Sequence, residues 1–509
     1  MTKLFFKFFT ILILFFILVG CNNFKNNNQN NPTVEPGDGT NEISKGMVNQ
    51  NGAKIYPKSV VGYVGDPMPY FEDGVMNVFY LQDGRNTYLG FHPFALMTTT
   101  DLIHYKDYGV VIPYVNDMYS QDLALGTGSI IKDKDGIYHA FYTGWNGNSN
   151  TGLPYMEKIQ HAISLDKINW VKLPEDGFYG GTNDFRDPYV YYDETEDMYH
   201  MLITSRDAGH GVIKIYKSSD LSDWSYHGIF FRNDAGSYNM ECPSYFYYNG
   251  YYYLSYSEQG DHRVTHYRYK KNLDDPWIKP EIDYFNGEGL YAGRIEKGFD
   301  SLYIFGWCGT KTGALDRGGF DWAGSLVVLE LLQQEDGTLL PSMPKQYKEA
   351  FDIEVPYKTI DGNQESSIYF EKDEQKAITM ETLSDNITRI SFQLTPVFLK
   401  NDCGLTFNSK EDDKLGTLNI SFNLQDRKIY YFNNVQSFSD YGHAQIAVPF
   451  QFQNFKPIDI EIIIDGEIIT VFVDNKIALT TRMIAMVENN FSFYSNNCEA
   501  LFSNIKFYE

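Results

Sequence analysis

Cysteine is scarce in this chain, with five in 509 residues, and no two of them stand in a C-x-x-C or similar metal-type pair. A zinc centre built on thiolates is therefore not expected. Apart from Cys21 near the amino terminus, Cys242, Cys308, Cys403 and Cys498 read as free, buried thiols, and whether Cys403 and Cys498 form a disulfide stays open. Basic residues are also short: 42 Lys and Arg stand against 66 Asp and Glu, a net charge of -24. Nucleic acid and anionic lipid both require a basic surface, so neither is expected as the main partner, and a neutral ligand fits better. The chain has no phosphate-binding glycine loop ending in Lys-Ser or Lys-Thr, no H-E-x-x-H pair and no complete calcium loop. The nearest approach, KDKDG (132–136), reads as a hairpin turn. No cofactor and no metal are implied. After the first twenty residues no long amphipathic helix is legible either.

Two segments precede the expected fold. Lys3 and Lys7 lead an apolar run that ends Leu18-Val19-Gly20-Cys21, the pattern of a secretion signal over residues 1–20. The ending resembles a bacterial lipobox, which implies cleavage and lipid attachment at Cys21. Residues 21–50 are rich in Asn and poor in apolar side chains, so they are expected to be a disordered tether. The protein is thus expected to cross the bacterial cytoplasmic membrane and to stay lipid-anchored at the cell surface or in the periplasm. Its only membrane contact would be that anchor.

The remaining length is too great for one ordinary core, which favours two domains. From about residue 60 to 310 a hairpin recurs five times: YFEDGVMNVFYLQ (70–82), IIKDKDGIYHAFYTG (130–144), VYYDETEDMYHMLITS (190–205), YFYYNGYYYLSYS (245–257) and IEKGFDSLYIFGW (295–307). Each is a turn between two aromatic or β-branched runs, so each reads as strand, turn, strand. A second echo, TTTDLIHYKDYG (98–109), ISLDKINWVKLP (163–174) and SSDLSDWSYHG (218–228), follows the first three hairpins and reads as a third strand with its exit turn. Five such units predict a five-bladed β-propeller over residues 51–345. Residues 346–509 change to short strands punctuated by Asp465-Gly466 and Asp474-Asn475, which predicts a β-sandwich. The fold class is all-β.

Asp66, Asp187 and Glu241 each lie roughly seven to nine residues before a hairpin turn. At equal phase they would sit on the first strand of their blades and ring one pocket. Like charges so close repel, and burial adds to the cost, so at least one is expected to keep its proton near neutral pH. A protonated acid beside an ionised carboxylate is what glycoside hydrolysis requires. Arg186, next to Asp187, is placed to keep that neighbour ionised or to bind sugar hydroxyls.

VGDPMPYFEDG with Asp66, FRDPYVYY with Asp187 and MECPSYFYYNG with Glu241 resemble the three signature blocks of glycoside hydrolase family 32, the β-fructofuranosidases, invertases, levanases and inulinases. LGTGSII (125–131), FYTGW (141–145), LYAGRI (290–295), IFGWCG (304–309) and DWAGSLVVLELL (321–332) follow in the family's order. The resemblance implies that Asp66 is the nucleophile, Glu241 the general acid/base and Asp187 the transition-state stabiliser of a retaining hydrolase. It also implies that Arg186 holds the furanose and that Thr127, Ser129, Tyr291 and Trp307 line its pocket. Sucrose, fructo-oligosaccharides, inulin or levan would be the substrates. Two departures touch the sugar. Gly65 and Met68 stand where the family usually carries asparagines around Asp-Pro, and Leu81 intervenes before Gln82, where a glutamine usually follows the aromatic pair. Gln82 is the candidate for that glutamine's role, and His92 in GFHPF for replacement polarity. A related propeller glycosidase acting on arabinofuranosyl or xylosyl substrates, and a non-catalytic carbohydrate-binding lipoprotein, remain the alternatives.

Overall fold

The structure, a computed structural model, describes residues 55–85, 92–364, 366–380, 387–409, 414–486 and 491–509. The expected signal, tether and lipidated Cys21 lie outside the described residues.

Five antiparallel units follow one another. The first has β1 (Tyr63–Glu72), β2 (Val75–Asp83), β3 (Phe94–Thr99) and β4 (Tyr105–Ile112), and the second β5 (Ala124–Lys132), β6 (Tyr138–Trp145), β7 (Glu157–Ser164) and β8 (Trp170–Lys172). The third has β9 (Phe185–Asp193), β10 (Met198–Asp207), β11 (His210–Ser218) and β12 (Ser225–Arg232). The fourth keeps three strands, β13 (Met240–Tyr248), β14 (Tyr251–Glu258) and β15 (Thr265–Lys270), with isolated bridges at Ile278 and Tyr284 where an outer strand would pair. The fifth has β16 (Tyr291–Gly298), β17 (Ser301–Lys311), β18 (Phe320–Gln333) and β19 (Leu339–Ser342). The first strands of successive units touch in order, β1 to β5 to β9 to β13 to β16 and back to β1, which closes a five-bladed propeller. A bridge between Val64 and Gly324 joins the last blade to the first.

The hairpins are tight because their tips accept positive φ at two successive residues: Asp73 and Gly74 at 50° and 77°, Asn249 and Gly250 at 41° and 92°. That geometry matches the right-handed twist of the strands it joins. The second echo in the sequence is the end of each blade's third strand with its exit turn, as expected, and it runs on into a fourth strand. In it a Ser or Thr hydroxyl and an Asp two residues on accept backbone N–H groups. Leu102 N–H donates to Thr99 Oγ1 at 2.8 Å, Lys167 to Ser164 Oγ at 2.9 Å and Leu221 to Ser218 Oγ at 2.9 Å. His104, Asn169 and Asp223 N–H groups reach the Oδ1 of Asp101, Asp166 and Asp220. Such local bonds satisfy a turn's backbone without help from the rest of the fold.

Separate apolar clusters fill the joints between blades, with Phe79, Leu81 and Phe94 meeting Ile130 and Tyr142, Phe141 meeting Phe185 and Met201, and Leu202 meeting Met240 and Leu254. Beyond a short helix, Lys345–Ala350, come β20 (Glu354–Val355), β21 (Ser367–Phe370), β22 (Gln375–Thr379), β23 (Ile387–Pro396), β24 (Asp402–Phe407), β25 (Leu418–Asn423) and β26 (Lys428–Asn433). They are followed by β27 (Ala444–Pro449), β28 (Ile458–Asp465), β29 (Ile468–Val473), β30 (Ile477–Arg482), β31 (Phe491–Asn496) and β32 (Ala500–Tyr508). A seven-stranded sheet (β20, β21, β23, β28–β30, β32) and a six-stranded sheet (β22, β24–β27, β31) enclose a core of Phe392, Phe422, Phe493 and Phe502. Cys403 and Cys498 are buried there as free thiols, as Cys242 and Cys308 are in the propeller. The sandwich is bonded to the propeller by buried polar contacts. Arg482 donates to the carbonyl of Gly309 at 3.0 Å, Asn286 exchanges bonds with Thr480, and Asp465 accepts the N–H groups of Ile55 and Tyr56.

Candidate active site

All five first strands break register near one level: between Gly65 and Met68, between Gly126 and Gly128, between Arg186 and Tyr189 opposite Thr204 and Leu202, between Glu241 and Ser244, and between Tyr291 and Arg294. Asp66, Asp187, Cys242 and Ala292 occupy these bulges with φ of 37°, 57°, 53° and 51°. A left-handed non-glycine residue costs about 1–2 kcal/mol, and a bulge re-aims the side chain it carries. A proline follows three of them, Pro67, Pro188 and Pro243. A bulge tolerates proline because its position gives no ladder bond.

This register corrects the expectation of three acids in one phase. Aligned on the prolines, Cys242 is the counterpart of Asp66 and Asp187. Glu241 stands one residue earlier, at the level of Gly65, Arg186 and Tyr291, each the last residue paired before its bulge. Two carboxylates thus share a level and the third comes from the adjacent one.

Each acid has its own donors. Trp307 Nε1–H donates to Asp66 Oδ1 at 3.0 Å. Glu241 Oε2 accepts the Tyr291 hydroxyl at 2.7 Å, and its Oε1 accepts two Arg186 nitrogens at 2.9 and 3.2 Å. Asp187 Oδ2 accepts the Cys242 N–H at 3.1 Å, while the Asp187 N–H donates to Thr143 Oγ1 at 3.0 Å. Arg186 is shared further, with Asp184 at 3.1 Å, Glu157 at 3.4 Å and Asp187 at 4.0 Å. Burial raises the proton affinity of Asp66, repulsion from Asp187 and Glu241 adds to it, and the Trp307 bond and Arg294 oppose it; the result is about 7. Asp66 keeps some solvent contact, but protein surrounds it on the remaining sides, so burial dominates. Burial pushes Asp187 up as well, with Arg186 pulling against it and Glu241 with it. Glu157 rises to about 7, again by burial, against the attraction of Arg186.

Of the other residues singled out in the sequence, Tyr291 and Trp307 join the acids directly. Thr127 lies in the bulge of β5, its buried hydroxyl without a partner among the described residues and its carbonyl accepting the hydroxyl of Thr143. The His92 ring packs against Trp322 with centroids 4.2 Å apart and the planes tilted by 31°, and burial lowers its proton affinity to about 4. Ser129 does not meet the acids: its hydroxyl accepts the Val190 N–H at 2.9 Å and ties blade two to blade three. Gln82 does not either. Strand alternation puts Leu81 in the joint with blade two and turns Gln82 to the opposite face, where its amide donates to Ser59 at 2.7 Å. The departures around Asp66 have a steric basis. A Cβ at Gly65 would lie 2.4 Å from the ring of Trp322, and Met68 is buried with its sulfur accepting the Gly128 N–H at 3.1 Å.

Sequence reasoning missed Glu157, Asp184, Thr143, Trp322 and Arg294, together with Arg263, whose guanidinium lies 3.8 Å from the centroid of the Tyr291 ring. Aligning the three prolines gives the true register from sequence alone. Arg294 lies inside the LYAGRI block, where only Tyr291 was singled out, and for Glu157 no motif marks the position.

Residues 58–340 match the family model described as Glycosyl hydrolases family 32 N-terminal domain. A raffinose invertase of Escherichia coli is 26% identical over 305 residues, 55% of this chain and 61% of that one, so the chain spans about three fifths of that relative's length. A levanbiose-producing levanase of Bacillus subtilis is 23% identical over 494 residues, covering 86% of this chain and 87% of the relative. Among solved structures, a β-fructofuranosidase of Aspergillus kawachii complexed with glycerol superposes with a TM-score of 0.71 at 18% identity, covering 91% of this chain and 95% of that one. A sucrose-6-phosphate hydrolase of Lactobacillus gasseri gives 0.69 at 18% identity, with 90% and 93% covered. At that identity the two structures bear on the fold.

Proposed function

The chain belongs to glycosyl hydrolase family 32 and is a glycoside hydrolase, and on that premise we propose that it cleaves β-fructofuranosidic bonds with retention of configuration, acting on sucrose, fructo-oligosaccharides, inulin or levan. The observation that carries the reading is the separation of donors: among the described residues Trp307 alone serves Asp66, Tyr291 and Arg186 serve Glu241, and Asp187 joins them in one ring. Asp66, once ionised, attacks the anomeric carbon while Glu241 passes a proton to the leaving oxygen. The bond from sugar to leaving group breaks as the ester to Asp66 forms. Glu241 then takes a proton from water, and the water oxygen displaces Asp66 and releases the sugar. Asp187 stabilises the positive charge that develops on the ring in both steps.

Asp66 holds its proton up to about pH 7. Since attack requires the carboxylate, kcat/KM is expected to rise with pH along a limb centred near that value.

The steric closure over Gly65 supports a second reading, a related propeller glycosidase acting on arabinofuranosyl or xylosyl units, because the asparagine the family usually places there has no room. Incubation of the purified protein with sucrose, inulin, levan and aryl arabinofuranosides separates the two by the monosaccharide released. Fructose is the expected product, and release of no fructose from any fructoside sinks the first reading. We further propose export and lipid anchoring through Cys21; a Cys21→Ser protein should leave the membrane fraction, and retention there refutes the anchor.

A further inference from the structure

Two residues past the bulge of β16 stands Arg294, only 2% exposed. Its Nη1 donates to the carbonyl of Pro243 at 2.9 Å, and its charge lies 5.9 Å from the centroid of the Tyr189 ring. Its Nε and Nη2 have no protein partner among the described residues, and no carboxylate there comes within ion-pair distance of it. A guanidinium buried this way is costly unless nearby anions compensate it.

The ionisable groups facing it can be named strand by strand. From β1 comes Asp66, from β9 Asp187 and Tyr189, and from β13 Cys242. Asp66, Asp187 and Cys242 all feel its charge. Glu296, two residues further on, is pushed up to about 8 by burial, and Arg294 is not among the groups that act on it. Arg186 is already shared among Glu241, Asp184, Glu157 and Asp187. The anions left to compensate Arg294 are those at the level of the bulges.

We propose that Arg294 is a positioning residue for the reaction, a fixed cation on the next level of the channel that allows Asp66 and Asp187 to carry negative charge together while Arg186 is occupied with Glu241. This rests on the reading of Asp66 as the attacking carboxylate. Charge acting over several ångströms in a protein interior shifts a neighbouring acid by about one pH unit.

The test is Arg294→Gln, with Arg294→Lys as the charge-conserving control. In Arg294→Gln the acidic limb of kcat/KM should move up by about one pH unit, kcat below that limb should fall about tenfold and KM should stay within about twofold. Arg294→Lys should restore most of the limb. A second readout needs no turnover: Trp307 donates to Asp66, so tryptophan fluorescence titrates with Asp66. Its midpoint, taken as the difference from Asp66→Asn, should move upward in Arg294→Gln. If the wild type releases no sugar, the proposed function fails while the fluorescence still judges Arg294. An unmoved midpoint in a folded Arg294→Gln overturns the proposal. Should that variant not fold, Arg294→Gln/Asp66→Asn decides: it folds if the guanidinium serves the acids, and its failure to fold, which would mean packing alone, overturns the proposal.

Discussion

Two buried aspartates, one in each domain, show what distinguishes a reactive carboxylate from a structural one. Burial raises the proton affinity of both Asp66 in the propeller and Asp402 in the sandwich. Asp402 accepts the Tyr494 hydroxyl at 2.9 Å, the Ser421 hydroxyl at 2.9 Å and the Asn496 amide at 3.2 Å. Among the described residues Asp66 accepts one side-chain bond, from Trp307, and it feels the charge of two other carboxylates. Raised proton affinity therefore does not by itself decide the chemistry. The well-bonded acid fastens a sheet, and the poorly bonded one is left ready to react.

The strongest break in that comparison would come from Asp66→Asn. We expect kcat to fall by at least about 10⁴-fold, measured as fructose release, with Tm raised by a few degrees. The sign of the stability change follows from linkage. The folded-state value of Asp66, about 7, lies above the ordinary carboxylate value, so the folded protein holds this proton more tightly than the unfolded chain does. Stability falls as pH rises from about 4 to about 7 and stays lower above that, and the amide removes the fall. Calorimetry from pH 4 to 8 on both proteins checks this.

Trp307→Phe comes next. It strips Asp66 of its hydrogen bond, so kcat should drop about 10²-fold and the acidic limb should move upward. Tyr291→Phe removes one of three bonds to Glu241, and a loss of about tenfold in kcat is expected because Arg186 remains. If Tyr291→Phe proved as damaging as Trp307→Phe, the number of donors would not be what separates the two acids. Asp402→Ala has the smallest catalytic effect: its three donors lose their acceptor, which should cost about 1–3 kcal/mol of stability in urea titrations, while kcat of the folded protein stays unchanged.

What could be read from the sequence was what depends on near neighbours. Asp73-Gly74 and Asn249-Gly250 announce their turns because positive φ is written in the residue types, and the repeated Ser/Thr-x-Asp turns are satisfied by their own side chains. The acids and the rings of Tyr291 and Trp307 were legible as chemistry. What was not legible depends on register and on the next blade. One extra residue in a bulge moved Glu241 off the phase of its partners, one step along β2 turned Gln82 to Ser59, and Ser129 serves blade three. Arg294 and Glu157 gain their roles only when strands far apart in the chain meet at the axis.

The claim that Asp66 attacks and Glu241 moves the proton is tested most directly by trapping the intermediate. In Glu241→Ala, an activated fructosyl donor whose leaving group needs no protonation can still transfer its fructosyl unit to the nucleophile, and water then lacks its general base. Peptide mass spectrometry of the acid-quenched protein should find one added fructosyl unit on the peptide containing Asp66. An adduct on another residue, or none while the donor is consumed, would contradict the account.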